Sequence, residues 1–427
     1  MPSVNAPRGM RDFLPADKAR RERVLATIRD RYRAHGFDEI ETPVMEEYSR
    51  LHAGIGGDNE KLAYNVLRRG LDADAVRAAA EDPASLTDLG LRYDLTVPLA
   101  RFYATHRGVL PAVFRAVQIA PVWRAERPQK GRYRQFVQCD IDIIGDPSAR
   151  AEAELAVATL DTLDALGLAG AEIRVNDRRI LDAMLAQFGF AEAERPGVLI
   201  TIDKLDKIGP DGVERELLER GAGADAVAAF AAFLARPASA AELPFGEERI
   251  RAALPEGIDE EIIRHVAGIG AAVAAARGTG TAPVVFDPFL VRGMGYYTGT
   301  IFELAHPAVT YSLGGGGRYD GMIGRFLGQD VPAVGFSIGF ERIVDLLEEH
   351  GESRAPAVVL IHDRDVPLAQ LLAAKTRLLD GGARVRVEQR PKNLKALLQR
   401  AAADGYRSFV TLSADQDVDA LEQRPLS

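Results

Sequence analysis

The chain has 427 residues, 47% of them hydrophobic and 27% charged, a balance that excludes disorder and leaves room for two or three domains with sizeable cores. A formal charge of −9 argues against indiscriminate nucleic-acid binding, which needs a local excess of Lys and Arg. The single cysteine, Cys139, excludes an internal disulfide framework or cysteine metal cluster, and with no bilayer-length apolar run and no secretion signal in MPSVNAPRGMRDFLP a cytoplasmic, non-membrane location is expected.

An amphipathic helix is predicted over about residues 17–35, with Val24, Leu25, Ile28 and Tyr32 on one face and Gly36 as its stop. It leads into FDEIETP, a short strand ended by Pro43. Residues 70–88 read as a loop around a short Ala-rich helix, followed by the strand LGLRY and a turn from Asp94 to Pro98. Alternation in VFRAVQIA, residues 113–120, and again around Gln138 predicts neighbouring antiparallel strands, hence an α+β core rather than a doubly wound sheet. The spacing of Leu155, Leu160, Leu163 and Leu166 marks a helix over 148–166, closed by Gly167.

The stretch from about 178 to 278 carries Ala, Leu, Glu and Arg at helical spacing and predicts a mostly helical insertion. Strand character returns in VVFDPFLVRGMGYYTGTIFEL, and the run Gly314–Gly317 reads most simply as a flexible turn. In AVGFSIGFERIVDLL a strand passes into a helix that buries Ile343, Val344 and Leu347. EEHGESRAP, residues 348–356, has the composition of a linker. The expected domains are therefore 1–347 and, beyond the linker, a small α/β domain over 357–427 with the order strand, helix, strand, helix, strand. Residues 357–412 hold ten Lys and Arg against five acids, a local charge of +5. After RSFVTL only SADQDVDALEQRPLS remains, which leaves room for a final strand but not for a terminal helix.

The richest segment is RAERPQKGRYRQFVQCDID, residues 124–142. Arg124, Arg127, Lys130, Arg132 and Arg134 form a basic loop in which Pro128 and Gly131 oppose a helix, and phosphate recognition is a natural use of it. The following strand sends Arg134, Gln138, Asp140 and Asp142 to one face and Val137, Cys139, Ile141 and Ile143 to the other. Alone, it reads more simply as an edge strand with a solvated polar face and a charged hairpin. Arg124, Arg292 and Arg342 stand where the chain passes between core elements, and together they suggest a polyphosphate held by side chains, since no GxxxxGK[ST] occurs. If their segment is extended, Tyr296 and Tyr297 point to opposite faces, so only one would share a cavity with Asp142; a cross-strand core pair is the ordinary reading. Asp94 could simply cap a helix, with Thr96 nearby. The seven histidines show no metal-ligand spacing, so no protein-held metal is expected.

LRYDLTVP, RAERPQKGRYRQFVQCDID, LVRGMGYYTGTIFE, GGGGRYDG and AVGFSIGFERI occur in the order and spacing of the histidyl-tRNA synthetases, and the chain resembles this class II aminoacyl-tRNA synthetase family over essentially its whole length. The resemblance implies an antiparallel class II catalytic core, and a homodimer whose interface includes the motif around Pro43. It implies that Asp94, Thr96 and Gln138 hold the α-amino group of L-histidine, while Asp142 and Tyr297 read the imidazole and Tyr296 belongs to the same histidine site. Arg124 and Arg132 would contact ATP, Arg124 at the α-phosphate, and Arg342 would hold the γ-phosphate. Arg292 would assist the attack, Mg²⁺ would bridge the phosphates, and Arg318 and Tyr319 would border the pocket. The last domain resembles an anticodon-binding domain, where Lys392, Asn393 and Lys395 would meet tRNA(His). Gly295 stands where many members have Asp, and LRYDLT with Asp142 in place of Glu resembles the form of eukaryotic members. A catalytically silent paralogue, such as the regulatory subunit of ATP phosphoribosyltransferase, is the competing expectation.

Overall fold

The computed structural model describes residues 4–53, 61–129, 131–235, 245–278, 283–292, 295–347 and 357–426. The expected linker, 348–356, and Lys130 lie outside them. The chain divides into two compact units, residues 1–12 with 22–346 and residues 13–21 with 347–427.

Up to residue 346 the chain runs α1 (Pro15–Ala34), β1 (Asp38–Glu39), β2 (Met45–Glu47), α2 (Tyr48–Leu51), β3 (Tyr64–Leu67), α3 (Ala73–Ala78), β4 (Thr87–Leu91), α4 (Thr96–His106), β5 (Phe114–Trp123), β6 (Gln135–Ile144), α5 (Ala149–Ala165) and β7 (Glu172–Asp177). The stretch expected to be helical holds α6 (Arg178–Gln187), α7 (Arg195–Ile202), α8 (Leu205–Glu219), α9 (Ala224–Leu234), α10 (Glu247–Ala253) and α11 (Glu260–Arg277). β8 (Val284–Phe286), β9 (Thr300–Ala305), β10 (Gly314–Arg318), α12 (Asp320–Leu327), β11 (Ala333–Gly339) and α13 (Phe340–Leu346) complete the series.

Among the described residues, the large sheet of the first unit has the order β1-β5-β6-β11-β10-β9-β7-β8, and a smaller one has the order β2-β4-β3. The pairs from β5 to β7 across the large sheet are antiparallel, while β1 and β8 add parallel edges. This is the α+β class expected from the alternating strands. On one side α5 packs against β6 and β11, and Cys139, Ile141 and Ile143 are fully buried. On the other, Val97 and Leu99 of α4 and Met322 and Ile323 of α12 form one cluster with Phe114, Ala116 and Ile144. Each large apolar side chain so buried contributes about 1.5–3 kcal/mol.

Two local expectations change. The segment from Asp94 to Pro98 is the entry to α4 rather than a free turn, because Asp94 Oδ1 accepts a hydrogen bond from the Val97 amide (3.1 Å) and so satisfies a first-turn donor. The run Gly314–Gly317 is a strand in the middle of the sheet, not a flexible turn, paired residue by residue with β9 and β11.

The second unit contains β12 (Ala357–His362), α14 (Leu368–Asp380), β13 (Arg384–Gln389), α15 (Leu394–Ala403), β14 (Ser408–Leu412) and β15 (Arg424–Pro425), with the sheet order β13-β12-β14-β15. β12 lies parallel to both β13 and β14. Its run AVVLI is apolar throughout because both faces are covered: Val359 and Ile361 cluster with Leu397 and Ala401 of α15, Val358 and Leu360 with Ala374 of α14. No helix among the described residues is long and apolar enough to cross a membrane.

Candidate active site

The pleat of β6 presents Gln138, Asp140 and Asp142 on one face. Directly opposite on β11 stand Gly339, Ser337 and Gly335, and on β5 stand Ala120, Gln118 and Ala116. Beyond β11, Gly315 and Gly317 of β10 pair with Ser337 and Gly335, and Glu303 of β9 pairs with Gly315. The result is a floor of carboxylates, amides and one hydroxyl, with open positions where glycine stands.

Those glycines have tenants. A Cβ on Gly315 would lie 2.8 Å from the guanidinium carbon of Arg292, and one on Gly317 would lie 2.8 Å from the Tyr297 ring. Arg292 and Tyr297 therefore lie directly on the sheet, as glycine in a strand interior permits. Arg292 is held there by Glu303, Nη1 to Oε2 at 3.0 Å.

Tyr296 sits in a turn with Gly295, so the segment is not extended and the expectation that the two tyrosines face opposite ways does not hold. Their rings meet edge-on at 4.9 Å, and the Tyr296 ring lies 6.0 Å from that of Tyr319. Tyr319 in turn donates its hydroxyl proton to Asp142 Oδ1 at 2.6 Å. All three tyrosines and Asp142 thus belong to one cluster. Burial, with Arg292 acting in the opposite sense, pushes the Tyr297 phenol up to about 12, so it is a neutral donor at physiological pH.

Asp94, Asp140 and Asp142 are all buried on this side. Burial pushes Asp94 up to about 6 against the hydrogen bond from Val97 and the charge of Arg124, and pushes Asp142 up to about 7 against the bond from Tyr319. Asp140 is raised well above the ordinary range by burial and then by Asp142. Gln138 Nε2 donates to Ser337 Oγ (3.1 Å) and Asp140 Oδ2 (3.3 Å), which fixes its amide so that Oε1 is the remaining acceptor. Two buried acceptors in this pocket, Asp94 Oδ2 and Gln138 Oε1, have no hydrogen-bond partner among the described residues. Buried acceptors are normally satisfied, so this pair calls for a donor from a ligand. Thr96 opens α4 beside them, next to the Tyr296 hydroxyl.

The cations gather at the other end. Arg124 donates Nε–H to the Tyr93 carbonyl (2.9 Å), lies over the Phe136 ring, and counters the charge on Asp94 and Asp140. Arg342 bonds to the Ser312 carbonyl and lies over Tyr311. Its pKa is lowered by burial and by the like charges of Arg132 and Arg292, with Glu126 only partly opposing them, a sign that the three cations converge. Arg132 remains half exposed, 3.3 Å from Glu126.

Arg318 is corrected. It pairs with Val334, which pairs with Ile143, so its side chain leaves the sheet on the α5 face. There it grips the buried Glu152, Nε to Oε1 at 2.7 Å and Nη2 to Oε2 at 2.8 Å, and is far better satisfied than a ligand arginine needs to be. Arg134 likewise precedes β6 and donates to the Glu126 carbonyl instead of joining the polar row. In the second unit Lys392 and Lys395 are exposed, while Asn393 caps α15 by accepting from the Ala396 amide (3.1 Å). Sequence reading passed over Gln118, Ser337, Glu303 and Gly335. Ser337 and Glu303 carried a signal, a polar residue set among apolar neighbours in AVGFSIG and IFELA; Gln118 shares its strand with Arg115, and Gly335 carried none. Among the described residues no group of three or more His, Cys, Asp or Glu stands close enough to hold a metal ion. A concavity of about 750 Å³ in the helical stretch, with Phe188, Phe233 and Arg251 in its wall, shares no lining residue with this pocket.

The sequence model described as histidyl-tRNA synthetase matches residues 9–343. A histidine–tRNA ligase of Leifsonia xyli subsp. xyli is 59% identical over 99% of each chain. The crystal structure of a histidyl-tRNA synthetase from Nostoc sp. PCC 7120 superposes with a TM-score of 0.75 at 26% identity, covering 99% of this chain and 96% of the other. A Bacillus halodurans protein described as an ATP phosphoribosyltransferase regulatory subunit/histidyl-tRNA synthetase superposes equally well, TM-score 0.75, over 97% of this chain and 99% of its own; at 19% identity it speaks for the fold alone.

Proposed function

The chain belongs to the histidyl-tRNA synthetase family of class II aminoacyl-tRNA synthetases, and on that premise we propose that it joins L-histidine to tRNA(His) at the expense of ATP. A carboxylate oxygen of histidine attacks the α-phosphorus of ATP, pyrophosphate leaves, and histidyl-adenylate forms. A hydroxyl of the terminal ribose of the tRNA then attacks the adenylate carbonyl, and AMP leaves.

The observation that carries this reading is the pair of unpartnered buried acceptors, Asp94 Oδ2 and Gln138 Oε1, beside a converging set of arginines. An α-ammonium group would satisfy both acceptors, with Thr96 closing the same end. Asp142 would accept an imidazole N–H while Tyr297 donates to the other ring nitrogen, a polar pairing that rejects side chains unable to return those bonds. Tyr296 packs behind Tyr297, and Tyr319 fixes Asp142. Arg292 and Arg124 would neutralise the charge that grows on the α-phosphate and substrate carboxylate, and Arg132 and Arg342 would hold the departing phosphates. Mg²⁺ enters with ATP as part of the substrate.

Residues 1–347 are taken as the catalytic domain, with about 178–278 its helical insertion, and 357–427 as an anticodon-binding-like domain in which Lys392 and Lys395 contact RNA phosphates. A cytoplasmic homodimer is the expected form; the exposed Val44 and Met45 beside Pro43 suit such an interface. The histidine-sensing paralogue is not favoured, because the chain keeps all four arginines and its 59% identical relative is a histidine–tRNA ligase.

The test is histidine-dependent ATP–pyrophosphate exchange. Arg292→Ala is expected to lower exchange by about 10²-fold or more, with histidine binding by calorimetry nearly unchanged. Parallel loss of binding and exchange would assign Arg292 to holding the amino acid instead.

A further inference from the structure

We infer that Gly335 is a positioning residue for substrate choice: its missing side chain makes the slot in which the Asp142 carboxylate lies. The inference rests on the histidine-activating reading and concerns a residue that touches no substrate. Gly335 is paired directly across from Asp142. A Cβ built on Gly335 would lie 1.9 Å from Asp142 Oδ1 and 2.9 Å from its carboxyl carbon, with the Tyr319 ring next at 3.3 Å. The carboxylate thus leans sideways over the neighbouring strand, with the Tyr319 hydroxyl closing on the same oxygen at 2.6 Å. A methyl group and that oxygen cannot occupy one place, so an alanine there would turn Asp142 away from Tyr319 and alter where its other oxygen points.

The backbone does not itself ask for glycine here. Gly335 is absent from the glycines with positive φ, and the three atoms nearest the added Cβ are all side-chain atoms. Gly315 and Gly317 differ in this respect: a Cβ on either would also strike a neighbouring strand's carbonyl, Phe302 O at 2.5 Å or Thr300 O at 2.7 Å. Substitution at those two would confound strand pairing with side-chain placement, whereas Gly335 isolates the carboxylate. The geometry also explains how a short acid serves in this position: glycine lets it lie down, and tyrosine holds it there.

The experiment is a double-mutant cycle on the full-length protein, with KM for histidine and for ATP read from pyrophosphate exchange, histidine binding from calorimetry, and folding from thermal melts. Gly335→Ala is expected to raise KM for histidine about tenfold or more while leaving KM for ATP within about twofold. In an Asp142→Ala background, where the slot is empty, the same change is expected to add less than about twofold to the loss of histidine binding. Equal effects in both backgrounds, or failure of Gly335→Ala to fold in both, would make the glycine a backbone requirement and overturn the inference. So would a Gly335→Ala enzyme with unchanged KM for histidine. Absence of histidine-dependent exchange in the unmodified protein would instead reject the underlying functional reading.

Discussion

Asp142 is a short acid in a buried row, held by one hydroxyl and pushed by burial from 3.8 to about 7. A carboxyl raised in the folded state keeps its proton longer there than in the unfolded chain, so its contribution to stability is full below the unfolded value and is lost as pH rises through the folded one. Compared with Asp142→Asn, the ligand-free protein should therefore lose melting temperature steadily between pH about 4 and pH about 7; a constant difference across that window would show that Asp142 titrates normally. Histidine affinity should move the other way, improving over about pH 5.5 to 7.5 as Asp94 and Asp142 ionise, because both are read as acceptors of N–H bonds. The acidic row was legible from two-residue alternation. Gly335 was not, since its role depends on register with a strand nearly two hundred residues away, and alternation within one strand carries no information about its neighbour.

Elements bind this site from behind as well as from within. β10 contributes the glycine floor on one face and Arg318 on the other, where it is tied to Glu152 at the start of α5. Glu152 is fully buried, with His265 of α11 a further 3.6 Å neighbour of Oε1, and against burial the hydrogen bonds from His265 and Arg318 hold its pKa down. Arg318→Leu would leave that carboxylate without its main partner, and the expected cost is about 3 kcal/mol, read from the denaturant midpoint. A change below about 1 kcal/mol would mean that the pair contributes packing rather than charge balance. Helical elements announced themselves through apolar periodicity, as in α1 and α5. The glycine strand did not, because glycine is depleted in strands and the feature that keeps it there, side chains lying on a bare backbone, comes from residues at other places in the chain. Likewise the pairing of Tyr296 with Tyr297 escaped strand logic because the segment turns.

At the scale of the whole molecule, charge is divided by task. The chain is acidic overall at −9, yet Arg132, Arg292 and Arg342 converge where phosphates are expected and residues 357–412 carry +5. Neither concentration is visible in the total, and each became legible only through position: one by motifs scattered from residue 124 to residue 342, the other by its confinement beyond the linker composition. The central claim joins the two ends of one pocket, unsatisfied acceptors for an amino acid and converging cations for a nucleotide. Its most direct test is ATP–pyrophosphate exchange by the full-length protein with each of the twenty amino acids in turn. The account predicts exchange with histidine and background levels with the others, phenylalanine included. No exchange with histidine at saturating concentration, in protein that melts cooperatively, would contradict it.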